Sequence, residues 1–364
     1  MKKRILIGYF IKDGTSPISS INQSIVSGLN DKYIFKRFYI NPGNKNMPGT
    51  LSIINIFFTF ITYIRWFFIN ITFRPSIAHY PITSYWSFEK SMLFLLTSKM
   101  FGAQVLGHLH GGAFRSFYSN LKGIRKKNGD KFIRYLDGII TLSESWNTYI
   151  QNTFPSTKNY CIPNPIDAEF ENAFNNHQHN YSNNKLLFIG DLLKRKGIFD
   201  ILDILKRNKN INISIAGSGD TNKLESKLFF NQVAAIKETE RISLLGVIKN
   251  RQKVNIFRNS GILILPSYVE NFPLVVIEAA CVGLPIIASR IGALPDVFKH
   301  GDSILFNDPG DIDQLEHNIT YLVNNKDERK RVGQGAKKVF HELLNRDEII
   351  NKYFNLYEYT LNNC

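Results

Sequence analysis

The chain has 364 residues, a formal net charge of +15, 44% hydrophobic and 21% charged residues. This fits a globular protein large enough to bury two cores. The three cysteines, Cys161, Cys281 and Cys364, lie far apart, which argues against a disulfide framework or a zinc site and for a reducing compartment.

The opening MKKRILIGYFIKDG is basic, then apolar over about one strand's length, with no small-residue cleavage site. It reads as a first strand at 4–10 rather than a signal peptide. A second strand is expected at 33–39. The segment 51–70, LSIINIFFTFITYIRWFFIN, is long enough to span a bilayer, but Arg65, Ser52, Asn55, Thr59 and Thr62 weaken a spanning reading. The expectation is an interfacial helix, packed partly on the N-terminal sheet and partly facing a membrane surface. A helix buried only against protein is the alternative. Strands follow at 77–80, 104–108, 138–142 and 160–162. The Asn-rich stretch 166–185 reads as a linker. Strands then recur at 186–189, 211–216, 242–245, 261–265, 286–288 and 303–306. The last segment, 346–364, is an amphipathic helix expected to pack back on the first domain.

Strands alternating with helices imply parallel sheets covered on both faces. The fold class is therefore α/β, with two doubly wound, Rossmann-like domains at 1–165 and 185–345. Ligands of such sheets sit outside the carboxyl ends of the strands, here in a cleft between the domains. The basic clusters at 2–4, 122–131 and 194–196 suit anionic lipid or a phosphorylated ligand. They contain no DNA- or RNA-binding motif, so nucleic acid is not an expected partner. A P-loop and a clear Gly-x-Gly-x-x-Gly at the first strand are both missing, which disfavours an ATPase or a dehydrogenase.

The most informative stretch is 265–289, LPSYVENFPLVVIEAACVGLPIIAS. Glu270 falls in the loop after a buried strand. Glu278 falls inside a short apolar helix that Pro273 opens and Gly283 closes. A buried carboxylate needs partners, and a ribose diol offers two hydroxyl donors. Backbone amides of Asn271, Phe272 and Leu274 at the helix start suit sugar hydroxyls or phosphate oxygens.

These residues resemble the Glu-x7-Glu motif of retaining glycosyltransferases, above all family 4 with the GT-B fold. The resemblance implies that Glu270 contacts the donor sugar and Glu278 the nucleotide ribose. The family writes Gly-Arg-Leu and then Lys-Gly where this chain has 190–197, GDLLKRKG. Lys196 matches the phosphate-contacting lysine and Gly190 the glycine. Asp191 stands in the arginine's place, which leaves one phosphate contact to Lys194 or Arg195. In VLGHLHGGAFRSFY, His110 resembles the histidine that faces the donor sugar near the reacting carbon. Gly111 and Gly112 let backbone approach a ligand closely. His108, on the same strand face, is a weaker candidate. The stretch 84–96, SYWSFEKSMLFLL, fits the family's first-domain pattern. AGSGD at 216–220 matches its Ala-Gly-x-Gly turn, with Gly217, and LLGVI at 244–248 places Val247 and Ile248 at the nucleobase. Asp13 and Gly14, after the first strand, are candidates to border the acceptor. Asp311–Asp313 has the Asp-x-Asp form of manganese sites but opens a helix, so it reads as helix-start acidity.

The resemblance implies a retaining hexosyltransferase with no metal and no cofactor. Its donor is a nucleotide sugar, expected to be a UDP-sugar. Its acceptor is a glycan, expected to be lipid-linked, in bacterial surface polysaccharide (capsule, O-antigen or lipopolysaccharide) at the cytoplasmic face of the plasma membrane. Two alternatives stay open: a nucleotide-sugar epimerase of the same fold, and a non-catalytic glycan- or nucleic-acid-binding protein.

Overall fold

The computed structural model describes residues 2–11, 16–40, 53–219, 224–236 and 239–363. It divides into two compact units, Met1–Asp167 with Arg346–Cys364, and Ala168–Asn345.

The first unit alternates β1 (Arg4–Phe10), α1 (Pro17–Leu29), β2 (Ile34–Tyr39), α2 (Ile53–Phe73), β3 (Ile77–Ile82), α3 (Trp86–Met100) and β4 (Gln104–Leu109). It continues with α4 (Phe114–Ser119), α5 (Gly123–Tyr135), β5 (Gly138–Thr141), α6 (Glu144–Thr153) and β6 (Asn159–Cys161). The sheet is parallel, in the order β2-β1-β3-β4-β5-β6. That is the flavodoxin-like variant of the doubly wound fold, with one further strand. Strand β3 is buried along its whole length, as expected where helices cover both faces. Leu6, Phe38, Trp66, Phe88, Phe94 and Phe132 belong to one buried core cluster.

The second unit contains α7 (Ala168–Asn172), β7 (Leu186–Ile189), α8 (Ile198–Arg207), β8 (Ile213–Ala216), α9 (Leu224–Ala234), β9 (Ile242–Gly246) and α10 (Asn250–Arg258). Then come β10 (Ile262–Leu265), α11 (Leu274–Val282), β11 (Ile286–Ser289), α12 (Leu294–Val297), β12 (Leu305–Asn307), α13 (Ile312–Asn324) and α14 (Lys326–Val339). Its parallel order, β12-β11-β10-β7-β8-β9, is the Rossmann order. The first strand of the unit, β7, has β8 on one side and β10 on the other. The winding reverses between β7 and β10, and the loops that leave those two strands diverge from a single point.

The final helix, α15 (Arg346–Asn362), returns to the first unit. Arg346 donates to the Ser24 carbonyl at 3.1 Å, and Tyr33 donates to Glu358 at 2.6 Å.

All twelve expected strands form, with ends displaced by two residues at most. The stretch 166–185 is not a free linker, which corrects the expectation. Its asparagines hide two aromatics, Phe170 and Phe174, that are buried. Phe170 meets Phe257 at 5.1 Å. Arg258 donates to the Ala173 carbonyl at 2.8 Å and Lys337 to the His177 carbonyl at 2.9 Å, which tie the segment to the second unit.

Candidate functional site

The switch point of the second sheet is held shut by a glycine. Gly197 has φ +69°, and a Cβ there would lie 2.0 Å from the Pro266 carbonyl oxygen. Only glycine allows that φ and that approach together. The contact brings the loop after β7 against the loop after β10, and the Tyr268 amide donates to the Arg195 carbonyl at 2.9 Å. A one-turn 3-10 helix, Lys194–Lys196, precedes Gly197.

The consequence is an ion pair between Lys196 and Glu270, with side chains only 16% and 13% exposed. Ser267 donates to the same Glu270 oxygen at 3.1 Å. Below it, Tyr268 donates to Asp200 at 2.9 Å. Burial raises the pKa of Asp200, and burial with the neighbouring carboxylate raises that of Tyr268. A shielded lysine beside a carboxylate, at the carboxyl end of a parallel sheet, is an arrangement able to hold a phosphate and a hydroxyl side by side.

Neighbouring strand ends complete the edge. Gly190 donates to the Ala216 carbonyl at 3.0 Å and Gly217 to the Gly246 carbonyl at 2.8 Å, which aligns the ends of β7, β8 and β9. A Cβ on Gly217 would stand 1.7 Å from the Gly190 oxygen. Asp191 is paired with Arg195 at 2.9 Å and accepts from Ser218 at 3.0 Å. Arg195, one of the two candidates to supply the missing phosphate contact, is thus tied to Asp191. Val247 is 47% exposed and Ile248 partly so, just past the end of β9.

Helix α11 starts after Pro273, which is extended (ψ 126°) and caps the helix rather than sitting in its first turn, a one-residue correction. Gly283 ends it at φ +82°. Asn271 and Phe272 are buried and Leu274 partly buried, and the Asn271 carbonyl accepts from Ala293 at 2.7 Å. Glu278, 3% exposed, is paired with Lys253 of α10. A carboxylate that deep requires a cation or several donors, and Lys253 meets part of that need. Lys253 and Asp200 escaped the sequence reading: Lys253 reaches Glu278 from α10, Asp200 on α8 accepts from Tyr268, and neither carries a motif of its own. Ser267, Tyr268 and Ser218 fall within the stretches already singled out but were given no role there.

In the first unit the structure gathers three histidines. His79 on β3 meets Tyr357 at 2.7 Å through Nδ1 and His108 at 3.1 Å through Nε2. Tyr353 lies 3.4 Å from His108. The rings of His108 and His110 are 3.9 Å apart between centroids. Burial pulls the pKa of His79 and of His110 down to about 3, and that of His108 well below its ordinary value. The imidazoles are therefore neutral near pH 7. His108, a weaker candidate from sequence, is fully buried and joins His79 to His110. The His110 amide is fixed to the Ile82 carbonyl at 2.9 Å, and among the described residues its Nε2 has no hydrogen-bond partner. Gly111 packs on Ser84 and Thr83, and Gly112 lies in the turn before α4. Asp13 and Gly14 lie outside the described residues. Asp311 caps α13 by accepting from Gln314 at 2.9 Å. Among the described residues, no group of three His, Cys, Asp or Glu side chains is placed to hold a metal ion.

Comparison with known proteins bears on the family and the fold. Residues 169–339 match the family model described as "Glycosyl transferases group 1". An uncharacterized glycosyltransferase of Methanocaldococcus jannaschii is 25% identical over 263 residues, 71% of this chain and 69% of that protein. Two further curated relatives are matched over only 44% and 37% of their own length. Among solved structures, sucrose-phosphate synthase of Thermosynechococcus elongatus superposes with a TM-score of 0.80 at 16% identity, covering 100% of both chains. The HepE protein of Anabaena in complex with UDP-glucose superposes with a TM-score of 0.71 at 15% identity, covering 98% of this chain and 100% of that one. The two Rossmann-like units thus have the fold of GT-B glycosyltransferases. Residues 169–339, most of the second unit, thus resemble the glycosyl transferases group 1 family, and the relative matched over most of its length is itself described as a glycosyltransferase.

Proposed function

We propose that this protein is a retaining glycosyltransferase of family 4 that moves a sugar from a UDP-sugar to a glycan acceptor. The observation that carries the reading is the Lys196–Glu270 pair, set by Gly197 at the switch point of the second sheet. In this reading Lys196 neutralises the leaving diphosphate and Glu270 holds donor-sugar hydroxyls. Glu278 takes the ribose, and Val247 and Ile248 border the base. Gly190, Asp191, Arg195 and Gly217, with the amides of Asn271, Phe272 and Leu274, complete the donor side. His110 faces the sugar near the reacting carbon, and Asp13, Gly14, Gly111 and Gly112 border the acceptor.

The reaction breaks the bond between the anomeric carbon and the diphosphate oxygen. The acceptor oxygen bonds that carbon on the same face, and its proton passes to the departing diphosphate. Lys196 supplies the positive charge, so no resident metal or cofactor enters the proposal. The uridine donor is supported by the HepE complex with UDP-glucose. The acceptor is a lipid-linked glycan of bacterial surface polysaccharide, met at the cytoplasmic membrane face. That part is supported by the exposed aromatic helix α2. Incubation with UDP-hexoses and a lipid-linked glycan fraction tests the whole. Release of UDP matched by a product of unchanged anomeric configuration, read by NMR, is the expected result. Consumption of donor without free UDP would overturn transfer.

A further inference from the structure

Helix α2 is apolar on the side that faces water as well as, in part, where it meets its own unit. The side it lays on its own unit carries Asn55, Thr62, Trp66 and Asn70, all buried, three of them polar. Thr62 donates to the Phe58 carbonyl at 2.6 Å and Asn70 to the Trp66 carbonyl at 2.8 Å, within the helix itself. Trp66 is the most deeply buried apolar anchor, with Tyr63 and Ile69 packed against the same core cluster. Its Nε1 donates to the Phe94 carbonyl at 2.8 Å, and its ring meets Phe38 at 4.8 Å and Phe94 at 5.3 Å. The opposite side presents Phe57, Phe60 and Phe68 at 59%, 60% and 58% exposure, with Ile64 between them and Ile56 beside Phe57. Phe67 continues the face to Phe101 at 5.3 Å, beside Met100 at 86% exposure. Single exposed apolar residues are ordinary, but a contiguous aromatic face of this extent marks a contact surface.

The surrounding charge says what it contacts. From Asp31 to Glu89 the sequence has no acidic residue between, and it carries Lys32, Lys36, Arg37, Lys45, Arg65 and Arg74. Arg65, the one charged residue of α2, is exposed and reaches over the Phe38 ring, 5.8 Å from its centroid. An apolar aromatic face within a stretch of sequence that is basic and lacks acidic residues suits the boundary of an anionic bilayer. A second copy of the chain docked on this face by two-fold symmetry would set like charges against each other.

We infer that α2 lies in the plane of an anionic membrane surface, with Phe57, Phe60 and Phe68 at the acyl boundary and the flanking cations on lipid phosphates. The helix has the length and composition of a membrane span, but its Trp66 side is occupied by the rest of its unit. It therefore rests on the bilayer rather than crossing it. This deepens the lipid-linked acceptor reading and rests on it for its purpose. Binding is measured with no donor or acceptor present, so failure of the surface and failure of the transferase reading are read separately.

The test is flotation of the full chain with vesicles of phosphatidylethanolamine and phosphatidylglycerol, against vesicles of phosphatidylcholine alone. Wild type floats with the anionic vesicles, less so as salt rises. Each of Phe57→Ser, Phe60→Ser and Phe68→Ser weakens the partition about tenfold, with the thermal midpoint unchanged because these side chains are already exposed. Absence of wild-type flotation overturns the inference, as does a triple variant that floats like wild type. A dimer in sedimentation that the triple variant dissociates, with no vesicle binding, overturns it in favour of a second copy.

Discussion

Gly197→Ala is the sharpest probe of how the site is assembled. The new Cβ would begin 2.0 Å from the Pro266 oxygen, so backbone must retreat by about 1 Å to reach ordinary contact. The left-handed φ costs about 1–2 kcal/mol for a residue other than glycine. Forcing the loops apart costs about 1–3 kcal/mol more. Stretching the 2.9 Å bond from Tyr268 to the Arg195 carbonyl adds about 1 kcal/mol. The sum, about 3–6 kcal/mol, lowers the calorimetric midpoint of a unit this size by roughly 6–24 °C. Gly246→Ala is the control, because Gly246 has φ +63° with nothing within 4 Å of a new Cβ. It carries only the conformational cost, about 1–2 kcal/mol. If the two variants unfold at the same temperature, the close approach at Pro266 is not what fixes the loops.

Two further outcomes follow from the buried charges. Between pH 6.5 and about 3 the unfolded chain binds protons that native His79 and His110 refuse. Stability is then full above the ordinary histidine pKa and falls as pH drops, by up to about 1.4 kcal/mol per pH unit for each such histidine. Chemical denaturation across that range should show the slope, and His79→Gln should flatten it. Lys253→Ala leaves Glu278, whose side chain is 4% exposed, without its lysine, and should cost about 2–4 kcal/mol. Adding Glu278→Gln should recover part of that in urea melts, and no recovery would show that charge is not the cause.

Much of the fold was legible because buried parallel strands write themselves as apolar runs bounded by turn residues. Leu186–Ile189 and Ile262–Leu265 are such runs, and the loops after them carried Lys196 and Glu270 into view. What stayed hidden depends on contacts distant in sequence. His79 and Tyr357 lie 278 residues apart, and nothing in either segment announces the other. Phe170 and Phe174 were masked by the asparagines around them, although two aromatics suffice to anchor a short segment. The mixed polar and aromatic inner face of α2 was equally unreadable, because a 3.6-residue period shows that a helix has two sides but not which one meets protein.

The central claim is that the Lys196–Glu270 site grips a nucleoside diphosphate. Calorimetric titration with UDP, GDP, ADP and CMP tests it directly. The account predicts that UDP binds and that Lys196→Ala weakens it about tenfold or more, the loss of a charge-assisted hydrogen bond. If no nucleoside diphosphate binds, or if Lys196→Ala binds UDP as wild type does, the claim is contradicted.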